Sequence, residues 1–399
     1  MKVLLCFVTE QHVPNLLSVL HFKPDRVVLI QSDKMAKAKA TEYFLDALEI
    51  ANYKKDKVDV LQLEDENNLV SVRRCLHQAF GKFPQADWIA NVTGGLKPMS
   101  IAAYEFFKAL DARIVYIDSR CPNEILGLNG QPPETCEHIL TLDEFMAGYG
   151  FEISKAWKKI TESEERARQW WLLARVIAKH APDRNLLWFS DDDDLARKKW
   201  KAVREKGCTL EPQHTKHVPQ PVLAALVEYW NLTQADGGIS GKIDKYQGVF
   251  LTGGWLEAFL WKLLDKYALQ LGLEQVHLGV EARKKDTQAP TDFDVAFMMN
   301  QSLGAIECKS GGQENSDDPN QPLDKLEARI QQFRALRVNP VLATTSPKIL
   351  DPTTKSVKGT FAQRAEIYNC RIVTVHQIRE LAVEDASPDL VAKILLNRK

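Results

Sequence analysis

Two neighbouring stretches, TDFDVAFMMN (291–300) and LGAIECKS (303–310), place acids and a lysine at alternate positions within apolar runs. In a strand, residues two apart share a face. Asp292 and Asp294 therefore point one way, and Phe293, Val295 and Phe297 the other. Glu307 and Lys309 share a face from which Ile306 and Cys308 turn away. MNQSLG between the runs reads as a tight hairpin link. Three carboxylates and an ammonium can thus gather on one sheet face near a hairpin end. That cluster is costly to desolvate unless its charges pair or hold a cation. Oxygen donors suit Mg²⁺ or Mn²⁺, which lower the pKa of bound water and offset charge at a phosphoryl centre. Glu-x-Lys alone is a common surface ion pair; here it is set inside GAIECKS, after an acid-bearing strand. Asp294 is preferred to Asp292 because it sits in the apolar part of its strand.

A second chemical feature is NVTGGLKPMSIAAYEFF (91–107), a strand, two glycines, a lysine and a helix. It is neither the dinucleotide fingerprint nor the P-loop. Gly94 and Gly95 permit close backbone approach, Pro98 suits a first helical turn, and Lys97 adds a cation. The turn is too short to wrap a triphosphate and has no Ser or Thr after the lysine for a metal. It suits one phosphodiester or ribose edge per subunit. A second strand end, FVTEQHVPNLLSVL, starts a helix in the same manner.

The elements that position these groups follow from the pattern of apolar runs. KVLLCFV, RVVLIQS, KVDVLQL, DWIANVT and RIVYIDS are separated by helical patterns at 14–22, 34–53, 68–80 and 97–110. Continuous apolar strands alternating with helices imply a parallel sheet covered on both faces, a Rossmann-like domain over 1–145. Open α/β sheets bind ligands at the carboxyl ends of their strands, where helix N-termini offer free N–H groups. Residues 119–140 read as a hairpin, closed by a strand at HILTL. Residues 146–248 read as a mainly helical connecting region, in which the run Asp191–Asp194 is a solvated helix cap. A second α/β unit spans 249–399. Its helix at GGWLEAFLWKLLDKYALQLG precedes strands at QVHLGVEAR, DFDVAFMMN and LGAIECKS. A helix over 322–337, a strand at NPVLATT, a helix near 361–369 and a strand at RIVTVH follow. Lys325, Arg329 and Gln332 on the 322–337 helix are candidate phosphate contacts, with a solvated face the preferred reading for each.

Composition sets the outer bounds. The chain has 399 residues, 45% hydrophobic and 26% charged, with a formal net charge of -1. That length allows two or three domains, and that charge gives no overall basic field for nucleic acid, though a local groove is compatible with it. The seven cysteines are scattered without a Cys-x-x-Cys pair, which points to a reducing, cytoplasmic setting. The first apolar run is too short for a secretory signal, and none approaches the roughly 18 residues of a membrane span.

The arrangement of Asp294, Glu307 and Lys309 resembles the PD-(D/E)XK nuclease superfamily. The resemblance implies that Asp294 and Glu307 hold one or two divalent cations and that Lys309 positions the attacking water. It also implies a further acid on the preceding helix, a place that Glu257 occupies. The proline of that signature is missing, since Phe293 precedes Asp294. The TGG-x-K-x-M turn and the P-N-L helix start resemble the CARF domain, the sensor of cyclic oligoadenylates in type III CRISPR defence. The resemblance covers about 1–145, and the nuclease extends it over most of the chain. It implies a homodimer with one ring-shaped activator, cyclic tetra-adenylate, between two sensor domains. Thr9, Gln11, Asn15, Thr93, Gly94, Gly95, Lys97 and Met99 would line that pocket. The implied activity is activator-gated cleavage of DNA or RNA, preferably single-stranded.

Two rival readings are open to the sequence. CARF proteins with a metal-independent HEPN ribonuclease carry R-x-x-x-x-H on a helix, and the chain has that spacing at Arg175–His180 and Arg371–His376. The second of these lies in a strand pattern, which would send the two side chains to opposite faces. A CARF transcription regulator would need a DNA-binding helix in the middle region, where no basic recognition helix is evident, and has no use for the carboxylate–lysine cluster.

Overall fold

The computed structural model describes residues 1–118, 120–181, 185–190, 192–311, 320–333, 339–384 and 386–396. Seven strands form the N-terminal sheet: β1 (Lys2–Phe7), β2 (Arg26–Ser32), β3 (Val58–Leu63), β4 (Asp87–Asn91), β5 (Arg113–Ile117), β6 (Glu124–Gly127) and β7 (Glu134–Thr135). Their order is β3-β2-β1-β4-β5-β6-β7. The first five are parallel, and β6 and β7 add an antiparallel edge. β1 shows why its sequence is apolar throughout. Val3, Leu5 and Phe7 enter one core with the helices Leu69–Lys82 and Lys97–Ala109. Leu4 and Cys6 enter another with the helices Val13–Phe22 and Ala40–Ile50.

That second core is continuous with the C-terminal unit, taking in Phe145, Trp261, Val295 and Phe333. The C-terminal sheet contains β8 (Phe151–Ile153), β12 (Leu273–Lys284), β13 (Pro290–Met299), β14 (Ser302–Lys309), β15 (Asn339–Thr344) and β16 (Arg371–Val373). Its order is β16-β15-β14-β13-β12-β8. In chain order between β8 and β12 come helices Trp157–Gln169, Trp171–His180, Asp193–Lys206 and Gln220–Trp230. With them goes a small sheet of β9 (Cys208–Leu210), β10 (Thr233–Ala235) and β11 (Gly238–Ile243).

The structure departs from the sequence expectations in several places. The helical pattern 34–53 is two helices, Asp33–Lys37 and Ala40–Ile50, because Lys39 adopts a left-handed φ of 55° between them. HILTL is not a strand: His138 to Leu140 run as an extended link held by side chains of other elements, and Thr141 caps the helix Leu142–Gly148. RIVTVH stops being a strand at Val373, and His376 lies in the helix Val375–Leu381, capped by Thr374. The 322–337 helix runs over Gln321–Ile330 and closes in a 3-10 turn, with 334–337 outside the described residues. Asp191 and Ser119 also lie outside them. Among the described residues no helix is long and apolar enough to cross a membrane.

Candidate active site and ligand cavity

The β13–β14 hairpin turns through Asn300 and Gln301, both at positive φ (50° and 60°), the geometry of a two-residue hairpin turn. Its register sets Val295 opposite Ile306 and brings the acid-bearing positions of the two strands side by side. Asp294 Oδ2 accepts the backbone N–H of Cys308 at 2.7 Å. Glu307 is buried, and both its oxygens are engaged: Lys309 Nζ lies 2.6 Å from Oε1 and Arg329 Nη1 lies 2.6 Å from Oε2. Arg329 also reaches Asp292 Oδ1 at 3.4 Å. Asp292 is exposed, and Asp294 is half-buried and nearer the apolar part of the strand. The structure therefore brings Asp294, Glu307 and Lys309 together.

Glu257 joins them electrostatically from the first turn of the helix Trp255–Leu271. This helix follows a kinked π segment, Phe250–Gly254, where Gly253 takes a φ of 132° that an L side chain rarely adopts. Arg204 braces the kink by donating to the Thr252 hydroxyl and carbonyl, each at 2.8 Å. Burial pushes the Glu257 carboxyl up, and the Glu307 charge adds to this against Arg204, Lys309 and Lys155. Burial likewise pushes Asp294 well above the usual carboxylate range, reinforced by the Glu257 and Glu307 charges. For Lys309 burial works downward, but Glu307 and Asp294 outweigh it and hold the ammonium above its ordinary value.

Among the described residues no three His, Cys, Asp or Glu side chains already stand in ligating geometry. The charge pattern still fits a divalent cation. Burial first, and then the repulsion of the Asp294, Glu257 and Glu307 charges, raise the Asp294 and Glu257 carboxyls, a conflict that a cation relieves, and every donor is an oxygen. Arg329, read from the sequence as solvated, is the missed member of the site. Its helix position alone does not reveal that the side chain turns under the sheet to Glu307. Lys325 and Gln332 stay exposed, the first bonded to Gln321 and the second to Lys284.

A cavity of about 320 Å³ opens at the carboxyl ends of β1, β2 and β4. Gly94 is required there, since a Cβ would stand 2.7 Å from the Phe7 carbonyl oxygen, and Gly95 takes a φ of 86°. Thr9, Gln11, Thr93, Gly94, Gly95 and Met99 line it. Thr9 forms a hydroxyl turn with Gln11, and Thr93 Oγ1 accepts the Ile117 N–H at 2.8 Å. Asn15 is placed beneath the cavity, donating to the Phe7 carbonyl at 2.8 Å and accepting from Asn91. Lys97 is exposed at the first position of its helix and does not line the cavity of a single chain. Ser32, Lys34 and Met35 also line it and were missed. Ser32 Oγ is buried without a hydrogen-bond partner. The signal was there: Ser32 ends β2 at the same sheet edge as Thr9 and Thr93.

The motifs of the rival ribonuclease reading are engaged elsewhere. Arg175 pairs with Glu384 at 3.7 Å, and Arg371 donates to the carbonyls of Lys393 and Ile394.

A parallel sheet with an open cavity at its strand ends, joined to a sheet that clusters acids and a lysine, is the architecture of a ligand sensor fused to a hydrolytic domain. The family models agree with it: the Card1 CARF domain matches residues 3–145, and the Card1-like endonuclease domain matches residues 244–362. The chain is a CARF-domain nuclease. No curated protein matches the sequence. Among solved structures, Can2 from Sulfobacillus thermosulfidooxidans, in complex with cyclic tetra-adenylate, matches with a TM-score of 0.67 at 19% identity over 99% of each chain. VC1899 from Vibrio cholerae matches with a TM-score of 0.73 at 14% identity over 98% of each chain. At such identities the likeness speaks for the fold.

Proposed function

We propose that this chain is a nuclease of type III CRISPR defence, gated by cyclic tetra-adenylate and dependent on Mn²⁺ or Mg²⁺. Its substrate is single-stranded DNA, RNA or both. The observation that carries the reading is the convergence of Asp294, Glu307 and Lys309 on one hairpin, beside Glu257, in a chain that begins with a CARF domain. The solved complex of the similarly folded Can2 supports the choice of activator. The functional units are 1–145 for sensing, 146–248 as the connection and 249–399 for cleavage.

Glu257, Asp294 and Glu307 would hold the metal, which supplies an acidified water and charge neutralisation at the phosphate. Lys309, positioned by Glu307, orients the attacking water and faces the charge that builds on the phosphoryl oxygens. The Cys308 N–H fixes one oxygen of Asp294, so the other is presented to the site. The activator would lie between two copies of the chain, because one shallow cavity covers little of a ring whose repeat can present equal edges to both.

The test is cleavage of labelled single- and double-stranded DNA and RNA by the purified protein, with and without cyclic tetra-adenylate and Mn²⁺. Cutting is expected with both present. Glu307→Gln and Asp294→Asn are expected to abolish cleavage and leave activator affinity nearly unchanged. Cleavage that persists in excess EDTA, or at wild-type rate in either variant, would sink the metal site. A titration giving one ring per monomer would overturn the dimeric sensor.

A further inference from the structure

A cavity of about 270 Å³ adjoins the acid cluster, between helix Trp157–Gln169, the short helix Lys245–Val249 and the start of helix Trp255–Leu271. Glu257 forms part of its wall and is the single acid among its described lining residues. The rest of the chemistry is aromatic and cationic. Trp170 stands edge-on to Trp230 and Phe250, with ring centroids 5.4 and 5.2 Å away. The Arg166 guanidinium lies over the Tyr246 ring, 4.1 Å from its centroid. Tyr246 itself is 39% exposed, so this stacked pair forms an accessible wall instead of a core contact. Lys155 is aimed across the opening by its bond to the Gly279 carbonyl at 2.8 Å.

Flat aromatic faces beside guanidinium and ammonium groups are what an unpaired nucleobase and its phosphate require. A base seated against Tyr246 and Trp170 would set its own phosphate between Lys155, Arg166 and the acid cluster that Glu257 shares. We propose that this cavity receives one nucleobase of the substrate strand next to the bond that is cut. It thereby selects strands whose bases are unpaired, since a base held in a duplex cannot turn out of its stack into a side pocket. The inference rests on the nuclease reading above and adds the element that recognises the strand.

The experiment measures binding apart from cleavage. Full-length protein with cyclic tetra-adenylate in EDTA is titrated by fluorescence anisotropy with three 12-nucleotide probes: a mixed-sequence single strand, an abasic strand of equal length, and a duplex. The base-bearing single strand is expected to bind about fivefold or more tightly than the abasic strand, the usual effect of losing one stacked base. Tyr246→Ala is expected to erase that difference, and Tyr246→Phe to keep it. The duplex should bind no better than the abasic strand. Equal binding of base-bearing and abasic strands, or a Tyr246→Ala variant that keeps the difference, overturns the inference. If the wild type still cuts nucleic acid in Mn²⁺, the nuclease reading survives that result. A wild type that neither binds nor cuts any probe overturns both.

Discussion

Replacing Arg329 separates the structural from the chemical role of the acid cluster. The guanidinium holds Glu307 Oε2 at 2.6 Å while Lys309 holds Oε1, and the Glu307 side chain is only 4% exposed. Stripping one partner from a buried ion pair costs about 3–5 kcal/mol when the remaining charge is left alone. Lys309 stays in place and Arg329 is itself 26% exposed, so solvent and the second cation reduce the loss to about 2 kcal/mol. For a domain of this size that is about 4–8 °C in melting temperature. Arg329→Met keeps the aliphatic stem and removes the charge. In EDTA it should melt lower by that amount. In Mn²⁺ the gap should close, because Glu307 regains a cationic partner and the metal no longer competes with the guanidinium. Ligand linkage supplies about 2.7 kcal/mol at a hundredfold excess over Kd, enough to restore the difference. Differential scanning fluorimetry in EDTA and across a Mn²⁺ series reads both effects. An unchanged melting temperature in EDTA, or a Mn²⁺ shift no larger than in the wild type, would refute the reasoning.

Ser32→Ala removes a buried hydroxyl with no partner of its own. It should leave the melting temperature unchanged and weaken cyclic tetra-adenylate binding about fivefold by calorimetry, the value of one hydrogen bond near 1 kcal/mol. Lys97→Ala should weaken the activator about tenfold or more, as a charge-assisted contact would, and unchanged binding would move the ligand elsewhere. Burial against Phe44 and Tyr149 pushes the His12 imidazole down to about 4. It stays neutral in the fold and takes a proton on unfolding, so its contribution is complete above about pH 6.5. That contribution, about 3 kcal/mol, is lost as pH falls toward 4, and His12→Gln should flatten that part of a pH–stability profile.

Where sequence alone sufficed, one physical circumstance recurs: the local pattern and the tertiary environment agree. β1 is apolar throughout because both its faces are covered, and Gly94 and Gly95 mark a turn where a Cβ would strike the Phe7 carbonyl. Asp294, Glu307 and Lys309 could be assigned to one face because strand alternation is local. Arg329 could not, since its partner lies on another element and helical spacing alone leaves it facing solvent. β8 was hidden for a similar reason. Its three residues form a strand by pairing with β12, more than a hundred positions away. The break at Lys39 was invisible because a lysine at positive φ carries no compositional mark. HILTL has strand-like composition, yet Gln301 accepts the Leu140 N–H and draws the segment into a link between the two units.

That link points to how the sensor reaches the acids. The strand carrying Asp294 is held at both ends by the N-terminal unit. At one end, the β12–β13 turn is clamped by Lys285 to Asp46 at 2.6 Å and by Asp286 to Lys39 at 3.0 Å and to the Tyr43 hydroxyl. At the other, buried Gln301 donates to the His138 carbonyl at 2.8 Å while accepting from Leu140 at 2.9 Å. Lys39 joins the short helix that places Lys34 and Met35 in the ligand cavity to the helix Ala40–Ile50, which carries Tyr43. A ligand that favours one position of that helix therefore biases the hairpin, provided it binds the two positions unequally. The partly exposed ion pairs at the turn contribute modest stability, so cutting them tests coupling without dismantling the fold. Lys285→Ala with Asp286→Ala should leave activator affinity within about twofold and lower the ratio of activated to basal cleavage about fivefold or more, the lower end of ordinary coupling energies. Adding Gln301→Ala should lower it further, because a buried side chain then leaves its backbone partners unsatisfied. An unchanged activation ratio in the triple variant, with the protein folded and the activator bound, would place the route of the signal outside this hairpin.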